Sequence, residues 1–350
     1  MEIMMTSRSE NLISELRRNF NRVATRQEIF NFLELNGIPW SDTWVTRVLQ
    51  NAGLKHARGL YNLSSNLEGT TSQPTIESLF ITSFDKSQTF GVELEFCSNL
   101  SGSEINAGLK TLGLTANVEG DGSTYSHSGQ RVSYSNWNVT YDTSVRDRNF
   151  RHGLEIISPI LSSKDGLREL KKVMDYLTGL EKSKKIKVNK TCGTHVHFGK
   201  STWQSYSEFQ GYEFFKMYAM NEGLIDLLQP ASRRENNGRY CRSCYDAISN
   251  SSYSPSGRYY KVNMSHIKTR GTVEVRQHSG TVDFEKIASW IHLMTAMLDR
   301  STKLLSNETK KFQSLNEMMD SLNVANCVKE SLRKRFKKLN GFVEQLAVAV

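Results

Sequence analysis

The sequence predicts an α+β fold: a mainly antiparallel sheet with helices packed on it, behind a small separate N-terminal unit. Three observations carry this. Five short segments between residues 90 and 278 alternate apolar and polar side chains with the period of two that marks a β-strand. Four longer segments repeat apolar residues at helical spacing. The two kinds interleave irregularly, without the βαβ rhythm of a parallel sheet. With 350 residues, 38% hydrophobic and 23% charged, the chain can build one large domain beside a small one.

Residues 1–66 read as a unit of their own. Thr25-Arg26-Gln27-Glu28 caps a helix whose apolar positions are Ile29, Phe30, Phe32, Leu33 and Leu35, stopped by Gly37 and Pro39. Ser41-Asp42 opens a second, with Trp44, Val45, Val48 and Leu49 on one face, ended by Gly53. Residues 55–63 read as a short hairpin around Gly59. Helix, turn, helix, hairpin resembles a small winged-helix domain, which implies contact with nucleic acid or with another protein. Eight basic against six acidic residues leave this unit at only +2, so charge does not choose between them.

The stretch 64–77 is rich in Ser, Thr, Asn and Gln, which sets a linker at 67–79 and the large domain at 80–350. Within the large domain, helices are expected at 164–182, 203–229, 283–306 and 327–348. The basic run within 329–338 reads as a solvated face of the last one.

Five cysteines, an odd number, argue against a disulfide framework and make the cytoplasm the expected compartment. No apolar run approaches membrane-helix length, and the N-terminus does not read as a signal peptide. The formal charge of +9 suits polyanionic partners, nucleic acid and nucleotide phosphates alike.

The chemistry lies on the strands. In Phe90-Gly91-Val92-Glu93-Leu94-Glu95-Phe96, the apolar residues share one face, and Glu93 and Glu95 stand together on the other. His195 and His197 share a face in Cys192-Gly193-Thr194-His195-Val196-His197-Phe198-Gly199. So do Glu274, Arg276 and His278 in 272–278, and Asn138, Thr140 and Asp142 in 137–142. Glu155 sits between Leu154 and Ile156. In one sheet, these faces would converge. So many acids repel one another unless divalent cations intervene, and carboxylate oxygens select Mg²⁺ or Mn²⁺. An arginine beside such a cation is what a transferring phosphoryl group needs. Two loops, 233–240 and 257–263, are polar and basic; Arg258 and Lys261 are the preferred clamps for a phosphate or carboxylate.

Two metal readings compete. His195 and His197 could sit on a catalytic zinc, but Cys192 is at the wrong offset to join them. Cys241 and Cys244 have C-x-x-C spacing without a second pair, and read as loop cysteines.

In order, the motifs are G-V-E-L-E-F, W-x-V-x-x-D-x-S, G-L-E-I-I-S-P-I, C-G-T-H-V-H-F-G, R-Y-Y-K-V-N and G-T-V-E-V-R-Q-H-S-G-T-V-D, followed by a helix containing Trp290. Over about residues 88–300 this resembles the amidoligase family of bacteria and phages, distant relatives of glutamine synthetase and glutamate–cysteine ligase. The resemblance implies a curved antiparallel sheet of the glutamine-synthetase type and an ATP-dependent ligase joining a carboxylate to an amine. It implies that Glu93, Glu95, Glu155, His195 and Glu274 hold Mg²⁺ or Mn²⁺. His197, Arg276, Arg258 and Lys261 would attend the nucleotide and its phosphates. Arg276, Asp142 and Glu155 would be catalytic, Asp142 at a metal or at the amine. Small-molecule or peptide carboxylates and amines are the implied substrates, and shared sites in glutamine synthetase leave an oligomer open. The ammonia-site loop of that enzyme is missing, so ammonia is not implied. Two other functions are a DNA-binding regulator with a ligand-sensing domain, which leaves the acid strands unexplained, and a metal-dependent hydrolase.

Overall fold

The computed structural model describes residues 12–13, 16, 23–35, 41–51, 55–57, 60–62, 79, 88–118, 124–125, 131–200, 205–234, 241–249, 257–303 and 310–341. The chain forms two compact units, Met1–Gln73 and Pro74–Val350. In the first, β1 (Val23–Thr25) leads into helices Arg26–Leu35 and Asp42–Asn51, then β2 (Lys55–Ala57) and β3 (Leu60–Asn62). β3 lies between β1 and β2, antiparallel to both. Ile29, Leu33, Val45, Val48 and Leu49 make its core with Leu12 and Leu16. β1 was not expected, because three residues are too few to show alternation. Gly37, Pro39, Gly53, Gly59, the side chain of Trp44 and residues 67–78 of the expected linker 67–79 lie outside the described residues, and Leu79, its last residue, packs in the core of the second unit.

The second unit is built on β4 (Gln88–Ser98), β5 (Ala116–Val118), β6 (Thr124–Tyr125), β7 (Arg131–Val132), β8 (Trp137–Tyr141), β9 (His152–Ile157), β10 (Leu161–Ser162), β11 (Ile186–Lys187), β12 (Thr194–Lys200), β13 (Val262–Asn263) and β14 (Val273–Val275). β6 and β7 pair apart from the rest. The others form one open sheet in the order β13-β14-β12-β4-β9-β8-β5, with β10 and β11 on the two ends of β4. Every pairing in it is antiparallel except β5 with β8. The long central strand β4 fixes the layout. Phe90, Val92, Leu94 and Phe96 enter the core beside Val139, Leu154, Ile156, Val196, Phe198, Val273 and Val275. Helices Ser163–Lys182, Glu208–Met220 and Phe284–Thr302 bury their apolar stripes in that same core. Each large side chain so buried contributes about 2 kcal/mol. One face of the sheet is therefore spent on packing, and the other carries the polar residues.

The expected helix at 203–229 is two helices, Glu208–Met220 and Glu222–Asp226. Asn221 separates them as the cap of the first: its side chain bonds Met217 O, Lys310 O and Phe312 N, at 2.9, 2.9 and 2.8 Å. The last helix ends at Asn340, with Gly341 past its end at φ 76°. Its basic run is not wholly solvated. Arg335 turns inward to Leu228 O, and Arg333 donates to Asn316 Oδ1 at 3.0 Å. No helix among the described residues is long and apolar enough to cross a membrane.

Candidate active site

Strand register assembles the site. On β4, Glu93 stands opposite His195 of β12, and Glu95 opposite Glu155 of β9. Glu155 in turn faces Thr140 of β8, and His197 faces Glu274 of β14, which faces Asn263 of β13. Gly91 is the partner of His197 on β4, and its missing side chain leaves room there. A cavity of about 320 Å³ opens at this end, lined by Gly91, Glu93, His197, Ile157, Tyr134 and Arg270 among others.

The groups on this face are interlocked and mostly buried. Glu93 bridges the two imidazoles: Oε2 is 2.9 Å from His195 Nδ1 and Oε1 is 3.1 Å from His197 Nε2. Glu95 accepts the Gly193 amide at 2.6 Å, with His195 Nε2 at 3.6 Å. Glu274 is held by Arg276 Nη1 and by Asn263 Nδ2, the latter at 2.6 Å. Burial would raise its carboxyl, but the Arg276 guanidinium and then His197 outweigh it and hold it at about 2. His197 goes the other way. Burial lowers it, and Glu93 and Glu274 more than compensate, so it holds its proton above the ordinary imidazole value. For Glu155 the pull of Arg276 is outweighed. Burial, then the repulsion of Glu93, Glu95 and Asp142, push it well above the usual carboxylate range.

The donor set fits divalent cations. Three groups each bring their ligand atoms within 4.8 Å of one another: Glu93–Glu155–His195, Glu93–His197–Glu274 and Glu95–Asp142–Glu155. The donors are carboxylate oxygens with one imidazole at most, the hard set that suits Mg²⁺ or Mn²⁺. A cation among them would also remove the repulsion that burdens Glu155.

The structure thus brings Glu93, Glu95, Glu155, His195, His197, Glu274, Arg276 and Asp142 to one face. Asp142 is steered there by Gly153: a Cβ on that glycine would stand 2.3 Å from the carbonyls of Asp142 and Val145. Other expectations need correcting. Lys261 is no clamp, since its ammonium is fully buried between Glu222 and Asp226, at 2.6 and 2.7 Å. Arg258 makes no hydrogen bond or ion pair with the acid face among the described residues; its guanidinium lies over the Tyr259 ring. His278 leaves the face, because β14 ends at Val275 and the imidazole packs on Trp290, ring centroids 5.4 Å apart. Asn138 braces the turn at 133–136 instead.

The cysteines lend nothing to a zinc reading. Cys192 is buried beside Cys97 and Val145, its thiol pushed up to about 12 by burial. Cys241 and Cys244 are buried rather than in an open loop, and none of the three metal-competent groups contains a cysteine.

Sequence reasoning missed Asn263, which orients Glu274, and the buried set Glu222, Asp226, Gln277 and Tyr218 that joins Lys261. The acids at 222 and 226, one helical turn apart beside Leu224 and Ile225, were the readable signal, since buried acids need a partner.

Comparison with known proteins identifies a family. A family model described as "Putative amidoligase enzyme" matches residues 86–256 and 245–298, which contain every acid, imidazole and guanidinium named on it. The class is that of the carboxylate–amine ligases. The chain belongs to this amidoligase family. Among solved structures, a GmaS/ADP complex is 12% identical with a TM-score of 0.41, over 75% of this chain and 70% of that one. Apo GmaS is 12% identical with a TM-score of 0.35, over 72% and 67%. A novel glutamine synthase homolog is 10% identical with a TM-score of 0.34, over 71% and 64%. At these scores they are distant likenesses only. No curated protein matches the chain.

Proposed function

We propose that the protein is an ATP-dependent ligase that activates a carboxylate as an acyl phosphate and passes it to an amine. One observation carries this reading: the row of three overlapping carboxylate and imidazole groups along β4, with the Arg276 guanidinium alongside. Glu93, Glu95, Glu155, His195, Glu274 and Asp142 would hold Mg²⁺ or Mn²⁺, with His197 at the nucleotide. The metal supplies neutralisation of phosphate charge when bound.

The reaction then divides among the chain's own groups. ATP lies with its base toward the cavity at Gly91 and its phosphates along the acid row. A substrate carboxylate oxygen attacks the γ-phosphorus, the bond to the β,γ-bridging oxygen breaks, and ADP leaves. Arg276, bonded to Glu274 through one nitrogen, would bring its positive charge to the transferred phosphoryl group. An amine nitrogen next attacks the acyl carbon, the carbon–oxygen bond to phosphate breaks, and phosphate departs. The proton lost by the amine goes to a carboxylate at the Asp142 end. Residues 1–66 are the part proposed to contact nucleic acid or protein.

Calorimetric titration with ATP tests this. Binding is expected with Mg²⁺, and lost both in EDTA and in Glu93→Ala. No ATP binding by the folded protein under any condition would sink the ligase reading. Tight zinc with metal-dependent hydrolysis and no ATP requirement would replace it.

A further inference from the structure

A second guanidinium stands at this site with no carboxylate at ion-pair distance among the described residues. Arg233 ends the short 3-10 turn Ala231–Arg233 and is only 8% exposed. Its Nη2 donates to Cys192 O at 2.7 Å, and its own carbonyl accepts from Gln277 Nε2 at 2.9 Å. Nε and Nη1 have no partner, and no carboxylate comes within the 4.0 Å of an ion pair, among the described residues. The other buried cations of this region are matched: Lys261 by two acids, Arg276 by one. Nitrogens that have no protein partner and are not sealed from solvent can take an anion when one arrives.

The position says which anion. A Cβ on Gly193 would stand 2.9 Å from His195 Nε2 and 3.1 and 3.3 Å from Arg233 Nη2 and Nη1. Imidazole and guanidinium therefore flank the bare glycine, no more than about 6 Å apart. The Gly193 amide is already taken by Glu95. Along β12 the cavity lies at His197, four residues on, or roughly 13 Å at the rise of a strand. An anion on Arg233 thus sits at the far end of the acid row from the cavity, beside Glu95 and His195.

We propose that Arg233 binds an oxyanion of the reaction at this far end: the carboxylate of the acceptor substrate, or the phosphoryl group once it has moved there. This rests on the ligase reading, in which the cavity end belongs to the nucleotide. Two unpartnered nitrogens on one planar group suit a carboxylate or phosphate taken by two hydrogen bonds.

The test titrates inorganic phosphate into the full-length protein loaded with ADP and Mg²⁺, for wild type, Arg233→Gln and Arg233→Lys. Phosphate affinity is expected to fall on the order of tenfold or more in Arg233→Gln and less in Arg233→Lys, with ADP affinity unchanged. Unchanged affinity for both phosphate and acetate in folded Arg233→Gln overturns the proposal. Should neither variant fold, a crystal of the wild type soaked in phosphate decides: an anion on Arg233 supports it, and an anion found only at Arg276, or nowhere, overturns it. Acetate separates the two sources. Acetate binding lost with Arg233 marks a carboxylate site, and loss of phosphate binding alone marks a phosphoryl site. Failure of ADP to bind with Mg²⁺ would strike the ligase reading alone, since phosphate binding to Arg233 can still be measured without nucleotide.

Discussion

Replacing Glu155 by Gln removes one charge from the most crowded point of the acid face while keeping its shape. Glu155 shares ligand distance, 4.8 Å or less, with Glu93 in one group and with Glu95 and Asp142 in another. At that separation and an effective dielectric near 20, one pair of charges repels by about 3.5 kcal/mol. Glu155 escapes part of this by holding its proton, which is why its carboxyl is raised, by burial first and by those acids next. A raised acid costs stability once the pH exceeds its unfolded value, so the metal-free fold is strained at neutral pH. In EDTA at pH 8, Glu155→Gln should therefore gain about 2 kcal/mol, or roughly 4–8 °C in Tm. Mg²⁺ should act unequally on the two proteins. At a hundredfold excess over its Kd it stabilises the wild type by about 2.7 kcal/mol, and it should do far less for the variant, which has lost a ligand from two groups. Thermal unfolding of both proteins, with EDTA and with Mg²⁺, reads all four values. A variant less stable than wild type in EDTA, with the full Mg²⁺ increment, would refute the reasoning.

Three further outcomes are expected. Gly153→Ala places a methyl 2.3 Å from two backbone carbonyls, so it should cost about 2 kcal/mol or more and displace Asp142; urea unfolding measures it, and a neutral result would contradict the packing. Lys261→Met strands Glu222 and Asp226 without their cation and should destabilise by about 3–5 kcal/mol, yet leave ATP affinity per folded molecule unchanged; a selective loss of ATP binding would restore Lys261 as a phosphate clamp. His292 is buried with Nε2 on Leu79 O at 2.9 Å, and burial pushes it down to about 4. Its unfolded value is near 6.5, so the unfolded chain takes up a proton that the fold refuses. Stability should then fall as pH drops from about 6.5 to 4, by up to about 3 kcal/mol. His278, lowered by burial and then by Arg335, adds in the same direction. Denaturant unfolding at pH 7 and 5 should show a smaller difference in His292→Gln; an equal difference counts against the assignment.

Alternation alone put Glu93 with Glu95, His195 with His197 and Glu274 with Arg276, because side chains two apart on a strand must share a face. The apolar residues between them named the packed face just as directly, and the structure buries them all. The motif order carried the family. Local pattern could not supply register, and register made the site: only the pairing of β4 with β9 and β12 sets Glu95 against Glu155 and Glu93 against His195. Nor could it follow side chains past a strand end. His278 keeps the parity of Glu274 in sequence, yet turns to Trp290 because the ladder stops at Val275. Lys261 keeps the parity of Asn263, yet two acids 35 and 39 residues away capture it. Arg233 stood in a basic loop whose preferred clamps were sought elsewhere, and only folding buried it against Cys192 and Gly193. Period along one strand is a local property of the backbone, legible residue by residue. Which charges meet across strands, and which stay unmatched once water is excluded, is decided only by tertiary packing.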